Sequence, residues 1–482
     1  MRTLSAAVGA GALTAAALAS AGAAGSAGAT VTAARAAPAR SGAASALRAA
    51  TVGTGVVDAG HRSSAPPTTA FCEQNYHLAC YQAGQIQTAY DLPALYDGGV
   101  KGQGTTIAIV DPFGSPTIQH DLTVFDHAFS LPAPPWLKVI QPAGKVQAYN
   151  PASADRVGWA GETTLDVEYA HTIAPRAGIL LVETPVSETE GITGFPQIVK
   201  AENYVVNHGL ADVISQSFGA TEQTFRNKAA VSSLQSAFQN AETHHVTMVD
   251  ASGDAGAADV GLDESTYYLY PVTSFPADDP LATAVGGTQL HLNAAGRRTS
   301  PDTVWNDTYN RAVNEYLSGN AGPNPLASGG GKSTFFSRPA YQDGVSNVVG
   351  GRRGVPDISM SAACNGAVDT YSSFGGQAAG WYPTCGTSAA APQFAGVVAL
   401  ADQVAGHTLG LINPMLYQLE AAHARGIVDV TSGSNTVSFT QGGKVHTVQG
   451  YRARPGYDLA TGVGTVDGRY FVPELAALGK YW

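Results

Sequence analysis

Ser388 stands in the run Gly386-Thr387-Ser388-Ala389-Ala390-Ala391-Pro392, followed by Phe394, Ala395, Val397, Val398 and Leu400 at helical spacing. That pattern puts its hydroxyl at a helix N-terminus, where free amides and the positive end of the dipole can hold a developing oxyanion and small neighbours let a substrate approach. A serine at a helix start is more commonly an N-cap, so this run alone favours the cap. Gly161-Glu162-Thr163-Thr164-Leu165-Asp166 supplies a candidate base. Leu165, Tyr169 and Ile173 recur every four residues as a buried helical stripe, and Glu162 and Asp166, also four apart, share an adjoining face. Two carboxylates so placed resist double ionisation, and a pair sharing a proton acts as a base only where the site is acidic enough to keep one member protonated. A solvated acidic face is the commoner meaning of such spacing.

Ala251-Ser252-Gly253-Asp254-Ala255-Gly256 follows the apolar run Val246 to Val249 and places Asp254 on a loop of small residues at a strand's carboxyl end. If it keeps its proton, Asp254 can donate to a tetrahedral oxyanion; the plainer reading is an Asx turn. Two other motifs are set aside. Gly330-Gly331-Lys332-Ser333 lacks the glycine a phosphate loop needs six positions before its lysine, where Leu326 stands, and His244-His245 lacks the spacing of a zinc peptidase.

The elements that must position these side chains are legible as alternation. Thr105 to Val110, Gly178 to Val182, Asp212 to Ser215 and Val246 to Val249 read as short apolar strands, separated by helical stretches such as Ile198 to Val206 and Lys228 to Ala241. Strands that are apolar throughout are buried on both faces, and strand-helix alternation implies right-handed crossovers. An α/β fold with a parallel sheet covered by helices is therefore expected, with functional residues just beyond the strands' carboxyl ends.

The 482-residue chain is long enough for one large domain; its net charge of −11 and lack of a Lys/Arg cluster exclude nucleic acid as an expected partner. Residues 1–29 join Arg2 to a small-residue apolar run with A-x-A sites and are expected to be a secretory signal; their Ala and Gly suit a membrane span poorly. Residues 30–75 are expected to be a flexible leader, and 76–482 the folded domain. Secretion, no membrane association after signal removal, and a monomer are the expected state. Cys72, Cys80, Cys364 and Cys385 form an even set suited to two disulfides; nearness favours Cys72 with Cys80 and Cys364 with Cys385, though three pairings are open.

Taken together, these motifs resemble the sedolisin, or serine-carboxyl peptidase, family. The resemblance runs from about Tyr81 to the C-terminus through Ile107-Ala108-Ile109-Val110-Asp111, the Glu162/Asp166 helix with its Ile173-Ala174-Pro175 exit, the Asp254 loop, Gly354-Val355-Pro356-Asp357 and the Ser388 run. It implies a subtilisin-like parallel β-sheet flanked by helices on both faces, and acid-active hydrolysis of peptide bonds in protein or peptide substrates. Ser388 would be the nucleophile, Glu162 its base, Asp166 the residue that tunes Glu162, and Asp254 a wall of the oxyanion hole. Asp111 would extend the carboxylates behind Asp166, and Ile214 to Gly219 would line the substrate groove, with Phe218 where the family usually has Trp.

The resemblance also implies one structural calcium ion held by Asp429 and Asp458 with the carbonyls of Val430, Arg454 and Gly456, Arg454 replacing the usual Gly. Two surface turns are the plainer reading. Family members carry a long pro-domain, whereas the leader here is too short and polar to fold as one. Two rivals remain: a subtilisin-type peptidase using Asp111, a histidine and Ser388, and an inactive protein on the same scaffold. His171, the nearest histidine to Glu162, lies nine residues on and about half a turn away on the same helix.

Overall fold

A computed structural model describes residues 63–481. The expected secretory signal, and the expected leader up to residue 62, lie outside the described residues. Residues 63–75, read from the sequence as the end of that leader, are folded. Ser63 bridges Trp381, and helix α1 (Thr69–Tyr76) is capped by Thr68, whose hydroxyl accepts from the Phe71 amide at 3.2 Å. A Cys72–Cys80 disulfide ties α1 to the chain that follows. This polar helix has no apolar stripe, so packing and a covalent tie hold it rather than any periodicity visible in sequence.

The central sheet is built from strands whose residues alternate between two cores. In chain order its strands are β1 (Thr106–Pro112), β2 (Leu137–Ile140), β3 (Gly178–Thr184), β4 (Val213–Gln216), β5 (Thr247–Ala251), β6 (Thr283–Gln289), β7 (Thr303–Val304) and β8 (Ile358–Ser361). Their order is β7-β6-β5-β4-β1-β3-β2, with β8 also pairing β6. Every pairing is parallel except that of β7 with β6. Ile107 and Ile109 of β1 point into one core with Leu165, Tyr169 and Val397. Ala108 and Val110 point into the other with Phe195, Ile198 and Phe238. The period of two of a strand thus gives the sheet two buried faces, each needing a helical cover.

Helices α2 (Ala154–Ile173) and α5 (Thr387–Ala405) cover the first face; α3 (Phe195–Asn207) and α4 (Ser236–Thr243) cover the second. The helix expected over Lys228 to Ala241 is broken into Lys228–Ser232 and Ser236–Thr243. Each large aliphatic side chain buried in these cores contributes about 1.5–3 kcal/mol. The contact that matters most for chemistry is that of α2 with α5. A Cβ on Gly396 would lie 2.6 Å from the Ile173 Cβ, so only glycine lets the two helices pack this closely. The second disulfide, Cys364–Cys385, anchors the chain just before α5 begins. Both disulfides join the cysteines nearest in sequence.

Candidate active site

The N-terminus of α5 is shaped by three residues around Ser388. Gly386 is the N-cap, at φ 123°, where a side chain would be strained. Ser388 is therefore the second helical residue and not the cap, and its amide has no acceptor within the helix. Pro392, inside the helix, has no N–H to give the Ser388 carbonyl, and the Ser217 hydroxyl stands 3.5 Å from that freed oxygen. Ser217 sits just past the carboxyl end of β4.

The Glu162/Asp166 pair belongs to a helix buried nearly all round from Trp159 onward, and both residues are fully inaccessible, which rules out the solvated acidic face. The Ser217 hydroxyl donates to Asp166 Oδ1 at 2.9 Å, while Asp166 Oδ2 and both Glu162 oxygens complete no well-formed hydrogen bond. The Ser388 hydroxyl faces the Glu162 carboxyl closely enough to favour its ionised form. Burial nevertheless pushes Glu162 well above the usual carboxylate range, reinforced by the charges of Asp111, Asp254 and Glu188. Asp166 is driven up by burial, then by Asp111 and Glu162. Asp111, at the end of β1, is pushed up to about 7 by burial, with a partial offset from the neighbouring Thr163 hydroxyl. Three buried carboxyls stand together, paired with no cation among the described residues, and such a group holds protons in common.

Asp254 reaches the same place from the loop after β5. Its Oδ1 accepts from both the Thr387 amide and the Thr387 hydroxyl, each at 2.7 Å, and the Gly253 amide donates to that hydroxyl at 3.1 Å. Its Oδ2 is shielded and has no partner. Burial raises Asp254 to about 7, with the two Thr387 contacts pulling the other way. In acid the carboxyl is neutral; because Oδ1 is fully engaged as an acceptor, the proton resides on Oδ2, free to be donated. The Ser388 amide and Oδ2–H are then two donors for an oxyanion.

The structure thus brings Ser388, Glu162, Asp166, Asp254 and Asp111 into one cluster, as the sequence suggested. It adds Thr387 and Ser217, which hold Asp254 and Asp166 in place; neither carries a sequence signal beyond lying beside a motif residue. His171 is committed elsewhere: its Nε2 lies 3.1 Å from Asp126 Oδ1 and 3.0 Å from the Pro132 carbonyl. Phe218, expected to line a substrate groove, is 2% exposed and packs its ring against Trp159 and Phe195 in the core.

At the far end of the chain, the loops carrying Asp429 and Asp458 meet. Asp429 Oδ2 accepts the Gly456 amide at 2.9 Å, and buried Asp458 accepts the Arg454 amide at 3.1 Å through Oδ2. Burial raises Asp458 to about 6. The carbonyls of Val430, Arg454 and Gly456 accept no backbone hydrogen bond from any described residue. Asp458 Oδ1 also accepts the Ala460 and Thr461 amides at 2.8 and 2.9 Å, so the carboxylates would share their lone pairs with an ion, while the three carbonyls have no backbone partner; the donors are all oxygens, as a hard divalent cation prefers. Elsewhere, Cys72, Cys80 and Asp369 come within reach of one another, but the two sulfurs are spent on the disulfide.

Residues 148–444 match the model of the Subtilase family. Kumamolisin from Bacillus sp. (strain MN-32) is 30% identical over 398 residues, covering 80% of this chain and 62% of its own length. Sedolisin from Pseudomonas sp. (strain 101) is 31% identical over 387 residues, covering 78% of this chain and 59% of its own. The chain therefore spans about three fifths of these relatives. The solved structure of Pseudomonas sedolisin (serine-carboxyl proteinase), complexed with two molecules of pseudo-iodotyrostatin, superposes with a TM-score of 0.64 at 27% identity. That match covers 84% of this chain and 98% of the other.

Proposed function

Since the chain belongs to the sedolisin family of the subtilase fold, we propose that it is a serine-carboxyl peptidase that cleaves protein or peptide substrates through an acyl-enzyme. The observation that carries this reading is the Ser388 hydroxyl facing a buried carboxyl, Glu162, with no histidine hydrogen-bonded to Ser388 or Asp111 among the described residues. In the first step Ser388 Oγ attacks the scissile carbonyl as its proton passes to Glu162. The new oxyanion takes hydrogen bonds from the Ser388 amide and the Asp254 carboxyl. Glu162 then gives its proton to the leaving amine as the C–N bond breaks. Water repeats the sequence to release the acid.

The charge arrangement supports work in acid. Asp254 donates only while protonated, and its pKa near 7 sets the upper end of activity. Glu162 accepts only when its cluster has lost one proton, which sets the lower end. The fully formed set of Ser388, Glu162, Asp166 and Asp254 argues against an inactive scaffold. The Asp429/Asp458 loops would hold one structural calcium ion, whose charge would offset the carboxylates where the loops meet. We further infer secretion from the N-terminal pattern and the paired cysteines, and monomeric action on soluble peptides. Among the described residues no helix is long and apolar enough to cross a membrane.

The reading is tested by incubating denatured protein with purified enzyme and with Ser388→Ala at several pH values, and identifying fragments by mass spectrometry. Cleavage in acid that disappears in Ser388→Ala is the expected result. Cleavage undiminished by that substitution would overturn it.

A further inference from the structure

Helix α5 begins without a side-chain cap of its own. Thr68, Ser153, Asn227 and Asn310 each turn a side-chain oxygen onto the amide three residues on, closing the helices that follow them. Gly386, the N-cap of α5, has no side chain to do this. The cap comes instead from the loop after β5: Asp254 Oδ1 accepts the amide of Thr387, the first helical residue, at 2.7 Å. The next amide, that of Ser388, is left for an oxyanion. One carboxyl thus closes the helix with one oxygen and keeps the other near the reacting serine.

The Thr387 hydroxyl completes a ring with that contact. Its oxygen accepts the Gly253 amide at 3.1 Å, from a backbone φ of 108° that favours glycine. A hydroxyl has one proton, and with the Gly253 amide on its lone pair that proton goes to Asp254 Oδ1, at 2.7 Å. Thr387 is 1% exposed, so the ring is shielded from solvent. The loop itself is fixed, because the Ala327 amide donates to the Asp254 carbonyl at 2.8 Å and the Gly329 amide to the Gly253 carbonyl at 2.7 Å. What is left free in this carboxyl is the place of its proton, and two donors on Oδ1 leave only Oδ2 to carry it.

We infer that Thr387 is a positioning residue for the oxyanion donor: its hydroxyl directs the Asp254 proton to Oδ2 and, through the same contact, limits how far toward neutral pH the enzyme works. This rests on the peptidase reading above. A hydrogen bond onto a carboxylate is stronger than one onto the neutral acid, so the Thr387 hydroxyl favours the ionised form of Asp254. Removing it raises the Asp254 pKa, which burial holds at about 7, and moves the alkaline limb of activity to higher pH. The titratable groups acting on Asp254 are Glu162 from α2 and Asp259 from its own loop, both opposing the hydroxyl. No Lys, Arg or His pairs with it among the described residues. The hydroxyl thus narrows the working pH range while holding the proton in one place.

Thr387→Val keeps the shape of the side chain and removes the hydroxyl, whereas Thr387→Ser keeps the hydroxyl and removes the methyl. The Asp254 carboxyl is titrated by infrared difference spectroscopy from about pH 4 to 9, its band assigned by its loss in Asp254→Ala, and kcat/KM is followed over the same range. Expected in Thr387→Val is a rise of about one pH unit in both the carboxyl midpoint and the alkaline limb, the scale of one charge-assisted hydrogen bond. The plateau of kcat/KM falls roughly tenfold as the donor loses its orientation. Thr387→Ser restores both. In an Asp254→Ala background Thr387→Val lowers activity no further, because it acts only through that carboxyl. Thr387→Ala, with the same expected directions, serves if Thr387→Val fails to fold. An unmoved midpoint without the hydroxyl, a loss that Thr387→Ser does not restore, or a loss undiminished in the Asp254→Ala background would overturn the proposal. Failure of the peptidase reading would show separately, as a midpoint that moves as expected in a protein that cleaves nothing.

Discussion

One fully buried acid and a group of three could hardly be treated more differently. Asp357, just before β8, receives both Arg353 guanidinium nitrogens at 2.5 Å, the Tyr417 hydroxyl at 2.9 Å and the Ala284 amide at 2.8 Å. Glu162 and Asp166 on α2 and Asp111 near the end of β1 form no ion pair among the described residues and leave five of their six oxygens without a hydrogen bond. Asp357 has every oxygen satisfied. The group of three holds protons that it can pass on. Glu202, Asp250 and Asp369 are also buried with both oxygens unpaired, so what sets the cluster apart is three such carboxyls together with the Ser388 hydroxyl facing one of them.

Substitutions should separate the two groups. Ser388→Ala and Glu162→Gln are each expected to lower kcat by roughly 10⁶, the scale for removing a member of a serine peptidase's proton-transfer unit, with little change in melting temperature. Asp254→Asn is expected to lower kcat by about 10²–10³, because an amide held by Thr387 is a poorer oxyanion donor than a neutral acid. Steady-state kinetics on one peptide checks both.

Asp357→Asn should do the reverse. It strands the Arg353 charge in the core and is expected to lower unfolding free energy by about 3–5 kcal/mol, measured by denaturant melts, while the pH profile of any folded fraction stays in place. A shifted pH profile in Asp357→Asn would erase the distinction. The smallest expected effect is at the chain's far end. Removing the proposed calcium ion with a chelator should lower the melting temperature by a few degrees and leave the active-site pH profile unmoved, as expected of a ligand that binds only the folded state.

What the sequence made legible follows the same division. Ser388, Glu162 and Asp254 could be found because each sits at a patterned boundary: a helix start, a helical face, a strand end. The four central strands were visible as apolar runs. Thr387 and Ser217 were not, because a hydroxyl that positions a neighbouring acid is indistinguishable from any other small polar residue until the two are brought together. The start of the domain was misplaced because Thr69–Tyr76 is a polar helix held by a disulfide. Gly354-Val355-Pro356-Asp357 was legible as a motif, but its part in a buried ion pair was not.

The most direct test is the dependence of kcat/KM on pH from 3 to 9 with one unmodified peptide. Asp254, with a pKa of about 7, is protonated below that value and loses its proton above it. A maximum in acid and a tenfold fall per pH unit beyond about 7 is therefore the expected result. Activity that instead climbs to an alkaline maximum would mean that an imidazole, and not a carboxyl, takes the proton from Ser388.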